Sequence, residues 1–339
     1  AVQDDVDAET KVQGIIDDVL AGKSTSTLKV RSTAILLYLK WHNLQVEVPP
    51  PFPPSEELVY QYLSYLKGQI APATRAASLL QAWSFCVHAL GFSDPSGLEQ
   101  SLRCRGSAHH QFLRKRRLRR KDALTMVMVA IFELAAKHLA DLELRALAGY
   151  IVLCTHGRLR CADGNSLVGF DVDAKYIEAV SAGTKTGRSK EKRTTFLPVV
   201  IPREGLVVSD WFESFLLARK ELGLPDLGTI NQAPEDTGTL GRNFLMPSTA
   251  ARTVKPVAPD ELTGAMRKIL AIAGFPGDVS GIASHSMKAT WLSTTGKAGC
   301  DVHSRQLLGF HVPRGENSAM NYSRDNLAVP MQVLSATFQ

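Results

Sequence analysis

The sequence predicts a mainly helical chain of two domains, an all-helical N-terminal domain and a larger α+β domain holding one small antiparallel sheet. Three observations lead there. At 339 residues the chain is too long for one ordinary core. Apolar residues recur at helical spacing along most of it and change to strand-like alternation only between about residues 167 and 200. Between Arg103 and Lys121 stand nine cations and no acid, which marks a boundary between two differently composed regions.

The elements follow in order. Residues 1–23 are acidic and lightly apolar and read as a flexible N-terminal arm with one short helix (Val12, Ile15, Ile16, Val19, Leu20). From Ser26 to Trp41, Leu28, Ile35, Leu36 and Leu39 recur at helical spacing. Pro49 to Pro54 then force an extended break. Ser55-Glu56-Glu57 opens a second helix, with a capping hydroxyl and acids in its first turn. A third helix runs from about Thr74 to Leu90, with Leu79, Leu80, Trp83 and Val87 on one face and Gly91 as its stop. The helical domain is therefore placed at 24–102, a basic linker at 103–121 and the second domain at 122–339. In that domain Thr125 caps a helix to about His138, and a second helix runs from about Asp141 to Thr155. Leu167 to Val172, Tyr176 to Ser181 and Thr194 to Val200 read as short strands with turns at Asp173-Ala174 and around Gly187. A helix from about Ser209 to Leu222 follows, then a long loop from Pro225 to Val257, then helices near 259–273, 285–299, 301–308 and 326–337.

Composition narrows the function. At 45% hydrophobic and 21% charged residues the chain is globular. No apolar run approaches bilayer length and no signal-peptide pattern opens the sequence, so no membrane partner is expected. Ala1 in place of Met fits a piece of a longer protein. Five cysteines, an odd number in scattered apolar settings, fit reduced thiols in an intracellular protein, nuclear if eukaryotic and cytoplasmic if bacterial. Cys154, His156 and Cys161 lack the paired spacing and fourth ligand of a zinc site, so no metal is assigned. Gly183 to Ser189 resembles a phosphate loop but has one residue too few between its glycines and Arg188 where the essential Lys belongs, which removes an ATPase reading. The net charge of +6 is concentrated in the basic run, where Arg114, Lys115, Arg116, Arg117, Arg119, Arg120 and Lys121 are the candidate phosphate contacts.

The chemistry lies in an ordered series: Arg160 in Gly157-Arg158-Leu159-Arg160-Cys161-Ala162-Asp163, Lys185 in Gly183-Thr184-Lys185-Thr186-Gly187, His285 and Lys288 one helical turn apart, His311 after Leu307-Leu308-Gly309-Phe310, and Tyr322. A phenol among cations suits attack on a phosphodiester, where charge builds on phosphate oxygens and must be held. Arg158 competes with Arg160 as the arginine of this series. Lys190, Lys192 and Arg193 share a turn with Lys185.

On these residues the chain resembles the tyrosine recombinases, or phage-integrase family, from about Ser26 to the C-terminus. Arg160 matches the first arginine of the family's Arg-x-x-Glu-x-x-x-Leu run, Lys185 the hairpin lysine, His285 to Lys288 the His-x-x-Arg box, Leu307 to His311 the Leu-Gly-His box, and Tyr322 the nucleophile. There are two departures: Lys288 stands where the family has arginine, and Phe310 displaces His311 by one place. Lysine offers a single charged point where arginine offers a planar fork. The resemblance implies a DNA-binding helical domain, a catalytic domain and a site-specific recombinase or integrase, in a mobile element. Its strand transfer on double-stranded DNA would pass through a covalent 3′-phosphotyrosine, needing neither ATP nor a metal. Arg160, Lys288 and His311 would hold the phosphate, His285 would relay the Tyr322 proton, and Lys185 would protonate the leaving 5′ oxygen. A dimer or tetramer on DNA is implied, with the C-terminal helix exchanged between protomers. The alternatives are a catalytically weakened DNA-binding relative and a type IB topoisomerase-like nicking and closing enzyme.

Overall fold

The computed structural model describes residues 14, 18–20, 23, 25–114, 121–181, 197–230, 243–249, 255–310 and 327–338, so most of the expected N-terminal arm lies outside it. The chain divides into two compact units, residues 1–119 and 120–339.

The first unit is built from α1 (Thr25–His42), α2 (Glu56–Gly68), α3 (Arg75–Leu90) and α4 (Leu102–Leu113). Ser55 caps α2 by accepting from the Leu58 amide at 3.2 Å. The buried face of α1 is Ala34, Tyr38 and Trp41, while Leu36, expected inside, is 54% exposed. Aromatic area decides this: Tyr38 and Trp41 both meet Tyr62 of α2, with ring centroids 5.5 and 5.2 Å apart. The stretch expected to begin the basic linker is instead helical through Leu113 and sits on α2 and α3. Its buried stripe is Cys104, Ala108 and Gln111, and Gln111 donates to the Leu63 carbonyl at 3.0 Å. Arg103 is used within the unit, pairing with Glu57 at 2.7 Å and lying over the Tyr60 ring.

The second unit centres on α6 (Leu142–His156), whose residues from Ala146 to His156 are all buried. It is surrounded by α5 (Met126–His138), α8 (Trp211–Glu221), α9 (Pro259–Ile272) and α10 (Ser284–Lys297). A Cβ on Gly149 would lie 2.5 Å from the Phe215 ring, so only glycine allows α6 and α8 to approach this closely. After a one-turn helix α7 (Cys161–Gly164) come β1 (Leu167–Val172), β2 (Tyr176–Ser181) and β3 (Leu197–Pro202), an antiparallel sheet in sequence order. Gly169, at φ +61°, accommodates a bulge in β1 that a β-branched residue would resist. Two side chains fasten the expected long loop after α8: buried Arg219 donates to the Leu245 and Pro225 carbonyls, and Glu261 accepts from Thr249 and Ser248.

The last elements are α11 (Val302–Leu308) and α12 (Ala328–Phe338). Leu327, Met331 and Leu334 form a cluster with Trp291, Leu307, Leu308 and Val200, so in the single chain α12 covers its own domain. No helix among the described residues is long and apolar enough to cross a membrane.

Candidate active site

Three segments meet at the end of α6. The chain leaves that helix at Gly157 and turns through Arg158, which adopts φ +52°, before α7 begins. Arg160 occupies the N-cap position of α7. Asp163, one turn on, reaches back to the Arg160 amide at 3.3 Å and its guanidinium at 3.4 Å. The Arg-x-x-Asp spacing thus has a local cause: one carboxylate closes the helix start and orients the arginine. The Arg160 side chain keeps 38% exposure, whereas the whole of Arg158 is buried. Arg158 spends Nε on the Leu308 carbonyl (3.0 Å), Nη1 on that of His156 (2.7 Å) and Nη2 on that of Val200 (3.0 Å). Burial lowers its pKa to about 9, leaving it charged at neutral pH.

The second segment is the start of α10. Ser286 accepts from the Ala283 amide at 3.1 Å, and the Ser284 amide donates to Thr263 Oγ1 at 3.0 Å, fixing the helix origin. His285 in the first turn is exposed, and Lys288, three residues on, is partly buried on the same side of the helix. Lys288 Nζ donates to the Gly309 carbonyl at 2.8 Å. Burial first, and then the charges of Arg160 and Arg158, lower the Lys288 pKa to about 8, with Asp163 opposing.

The third segment is the end of α11, which Asp301 caps through the Ser304 amide at 2.9 Å. Beyond it Phe310 stands at φ +57°, in the left-handed region that bulky residues rarely adopt. Its ring centroid lies 5.5 Å from the Arg158 guanidinium and 5.7 Å from Lys288 Nζ. The residue that displaces His311 in the sequence is therefore a cation-facing aromatic wall.

Behind these residues is a buried network that sequence reasoning missed. Trp291 Nε1 donates to His156 Nδ1 at 3.1 Å, and His156 Nε2 meets Glu133 Oε1 at 2.9 Å. An indole only donates, so His156 accepts at Nδ1 and turns its N–H toward the carboxylate. Glu133 also accepts from the amides of Leu206, Val207 and Val208. Burial alone would raise this carboxyl, but His156 and the amides outweigh it and hold the pKa below the ordinary value. Only the His156 signal was visible in sequence. Both ring nitrogens of His156 are engaged here, by Glu133 and Trp291, and burial pushes the Cys154 and Cys161 thiols up. Among the described residues, no group of His, Cys, Asp or Glu converges as a metal site.

The structure thus brings together Arg160 and Lys288, with His285 on the same helix as Lys288. Lys185, His311 and Tyr322 lie outside the described residues, as do Lys115, Arg116, Arg117, Arg119 and Arg120. Arg114 and Lys121 are exposed.

Neither the protein-family models nor the curated proteins give a match to the sequence. Solved structures do. The integrase of the Tn1549 transposon, in complex with transposon right end DNA, aligns over 96% of this chain and 98% of its own at TM-score 0.51 and 10% identity. The XerH site-specific recombinase, bound to a palindromic difH substrate, aligns over 94% and 89% at 0.50 and 13%. The lambda integrase, as a tetramer bound to a Holliday junction, aligns over 88% and 76% at 0.50 and 14%. The chain has the tyrosine-recombinase fold. At these identities the likeness is one of fold, and the residue roles rest on the geometry above.

Proposed function

We propose that this protein is a site-specific DNA recombinase or integrase that breaks and rejoins duplex DNA through Tyr322. One observation carries the reading: Arg160 and Lys288, from separate elements, are held close enough for their charges to repel, at a partly solvent-accessible spot. Asp163 offsets only one of these two positive charges, and a phosphodiester supplies the further anion. Arg160 and Lys288 bind the non-bridging oxygens with His311, His285 takes or relays the phenol proton, and Lys185 protonates the departing 5′ oxygen. The docked phosphate raises the Lys288 pKa and so secures its charge. The basic residues from Arg114 to Lys121 hold the duplex by its phosphates. The fold neighbours, solved on DNA and in one case as a tetramer, support a dimer or tetramer on paired sites. The test is a nicked suicide oligonucleotide: a covalent protein–DNA adduct that is absent from Tyr322→Phe supports the reading, and its absence from the wild-type chain leaves a DNA-binding protein. Relaxation of supercoils without strand exchange would instead mark a nicking-closing enzyme.

A further inference from the structure

Arg158 does no chemistry in the mechanism above, yet it is a fully buried cation with no carboxylate among its hydrogen-bond partners. Buried arginines ordinarily answer to an acid, because an unpaired charge in a protein interior costs several kcal/mol. Here the compensation is three carbonyl dipoles from three separate elements: the end of α6, strand β3 and the end of α11. The third of these is informative. Arg158 takes the Leu308 carbonyl and Lys288 takes the next one, that of Gly309. Two consecutive carbonyls of the turn leading to His311 are therefore clasped by cations from two other elements, with the Phe310 ring facing both.

We infer that Arg158 is a positioning residue for the proposed strand transfer: by fixing the Leu308 carbonyl it sets where the Gly309 carbonyl lies, and hence where the Lys288 amine waits for the phosphate. The anchor is rigid on its own side. Arg158 holds the His156 carbonyl, and His156 is pinned by Glu133 and Trp291. Arg158 stands at positive φ with its side chain wholly buried, while Arg160, two residues on, stays accessible. A lysine at position 158 keeps the charge but offers one ammonium in place of a planar fork, so it cannot hold three diverging carbonyls at once. A methionine there removes both charge and donors.

The inference rests on the recombinase reading, so its test has one arm that needs no catalysis. In the DNA-free full-length chain, hydrogen exchange is followed at the Gly309 and Phe310 amides, which bond to Arg305 and Leu307 at 2.9 Å each. Arg158→Lys is expected to speed exchange there at least tenfold while α5 and α8 keep their protection, and Arg158→Met to do the same more strongly. In the second arm, single-turnover adduct formation on the suicide substrate is expected to fall at least tenfold in Arg158→Lys, with DNA affinity within about twofold of wild type. If Arg158→Met loses its fold, Arg158→Lys decides alone. Unchanged exchange at Gly309 and Phe310, or raised exchange with an unchanged adduct rate, overturns the positioning role. A wild-type chain that forms no adduct removes the recombinase reading instead, and the exchange arm then still decides whether Arg158 holds the turn.

Discussion

Replacing Lys288 by methionine should make the protein more stable at neutral pH and inactive in strand cleavage. The structure gives the size. Lys288 titrates at about 8 in the folded chain against an ordinary 10.5, so holding it charged costs about 3 kcal/mol at full strength. Allowing for the solvent that a partly buried amine retains leaves roughly 2 kcal/mol. Methionine fills a similar volume without the charge, and its loss of the bond to Gly309 returns about 1 kcal/mol of that gain. The sign of the pH dependence follows from linkage. Between pH 8 and 10.5 the unfolded chain keeps the Lys288 proton and the folded chain has released it, so wild-type stability rises across that window relative to the variant. Urea unfolding of both proteins, compared at pH 7 and at steps up to pH 10, should show the methionine variant ahead at pH 7 and its lead shrinking above pH 8. Groups common to both chains cancel in the difference. A stability gap that stays constant with pH, or a variant less stable at pH 7, would refute a charged amine in a desolvated, cation-crowded site. In the same window, at DNA concentrations well below saturation, Lys288→Arg should hold its cleavage rate above pH 8 where wild type declines, because the lowered pKa belongs to the DNA-free chain.

Tyr322→Phe should abolish the covalent adduct and leave DNA binding within about twofold, read by gel shift and by denaturing electrophoresis. Neutralising Arg116, Arg117, Arg119 and Arg120 together should weaken binding to every sequence and flatten log K against log salt by ~0.9 for each phosphate that is no longer neutralised; an unchanged slope would remove this run from the interface. Glu133→Gln should destabilise the second unit by about 2 kcal/mol at pH 7. Because the folded Glu133 pKa is depressed, its contribution is present above the ordinary carboxyl range and fades as pH falls through the lowered value, so the deficit should narrow in acid. Leu334→Ala should cost about 3 kcal/mol, measured by urea unfolding, since Leu334 is fully buried against the α10 and α11 cluster; a small loss would mean that α12 leaves its own domain readily.

Much of the fold was legible because its signals are local. Ser55, Thr125 and Asp141 cap helices where their hydroxyls and carboxylate foretell it, and Asp173 closes the β1–β2 turn through two amides. The Arg160–Asp163 register was readable for the same reason, both groups belonging to one helical turn. What escaped is long-range. The stripe of Cys104, Ala108 and Gln111 in α4 was hidden by the charges around it, because small buried residues carry little pattern. Arg158 reads as a rival to Arg160 until the Leu308 and Val200 carbonyls, far along the chain, are placed beside it. Glu133 likewise lies in an apolar helix, and its four donors come from residues 156 and 206–208. Phe310 looks in sequence like a simple displacement of His311, and only the φ of its turn reveals the ring against two cations.

The pairing of Ser181 with Leu197 across the sheet bears on how this hairpin can be altered. Residues 182–196 begin and end at one fixed place, so their closure cost grows only with the logarithm of their number. Lys185 is four residues from the Ser181 post, a tether of about 14 Å when extended. Changes of length beyond residue 190 leave that tether untouched, whereas a single insertion between 181 and 185 lengthens it by a quarter. Sequence positions beyond 190 are therefore the place to graft a tag or an affinity handle, and the four residues from 182 to 185 set the radius open to the role proposed for Lys185.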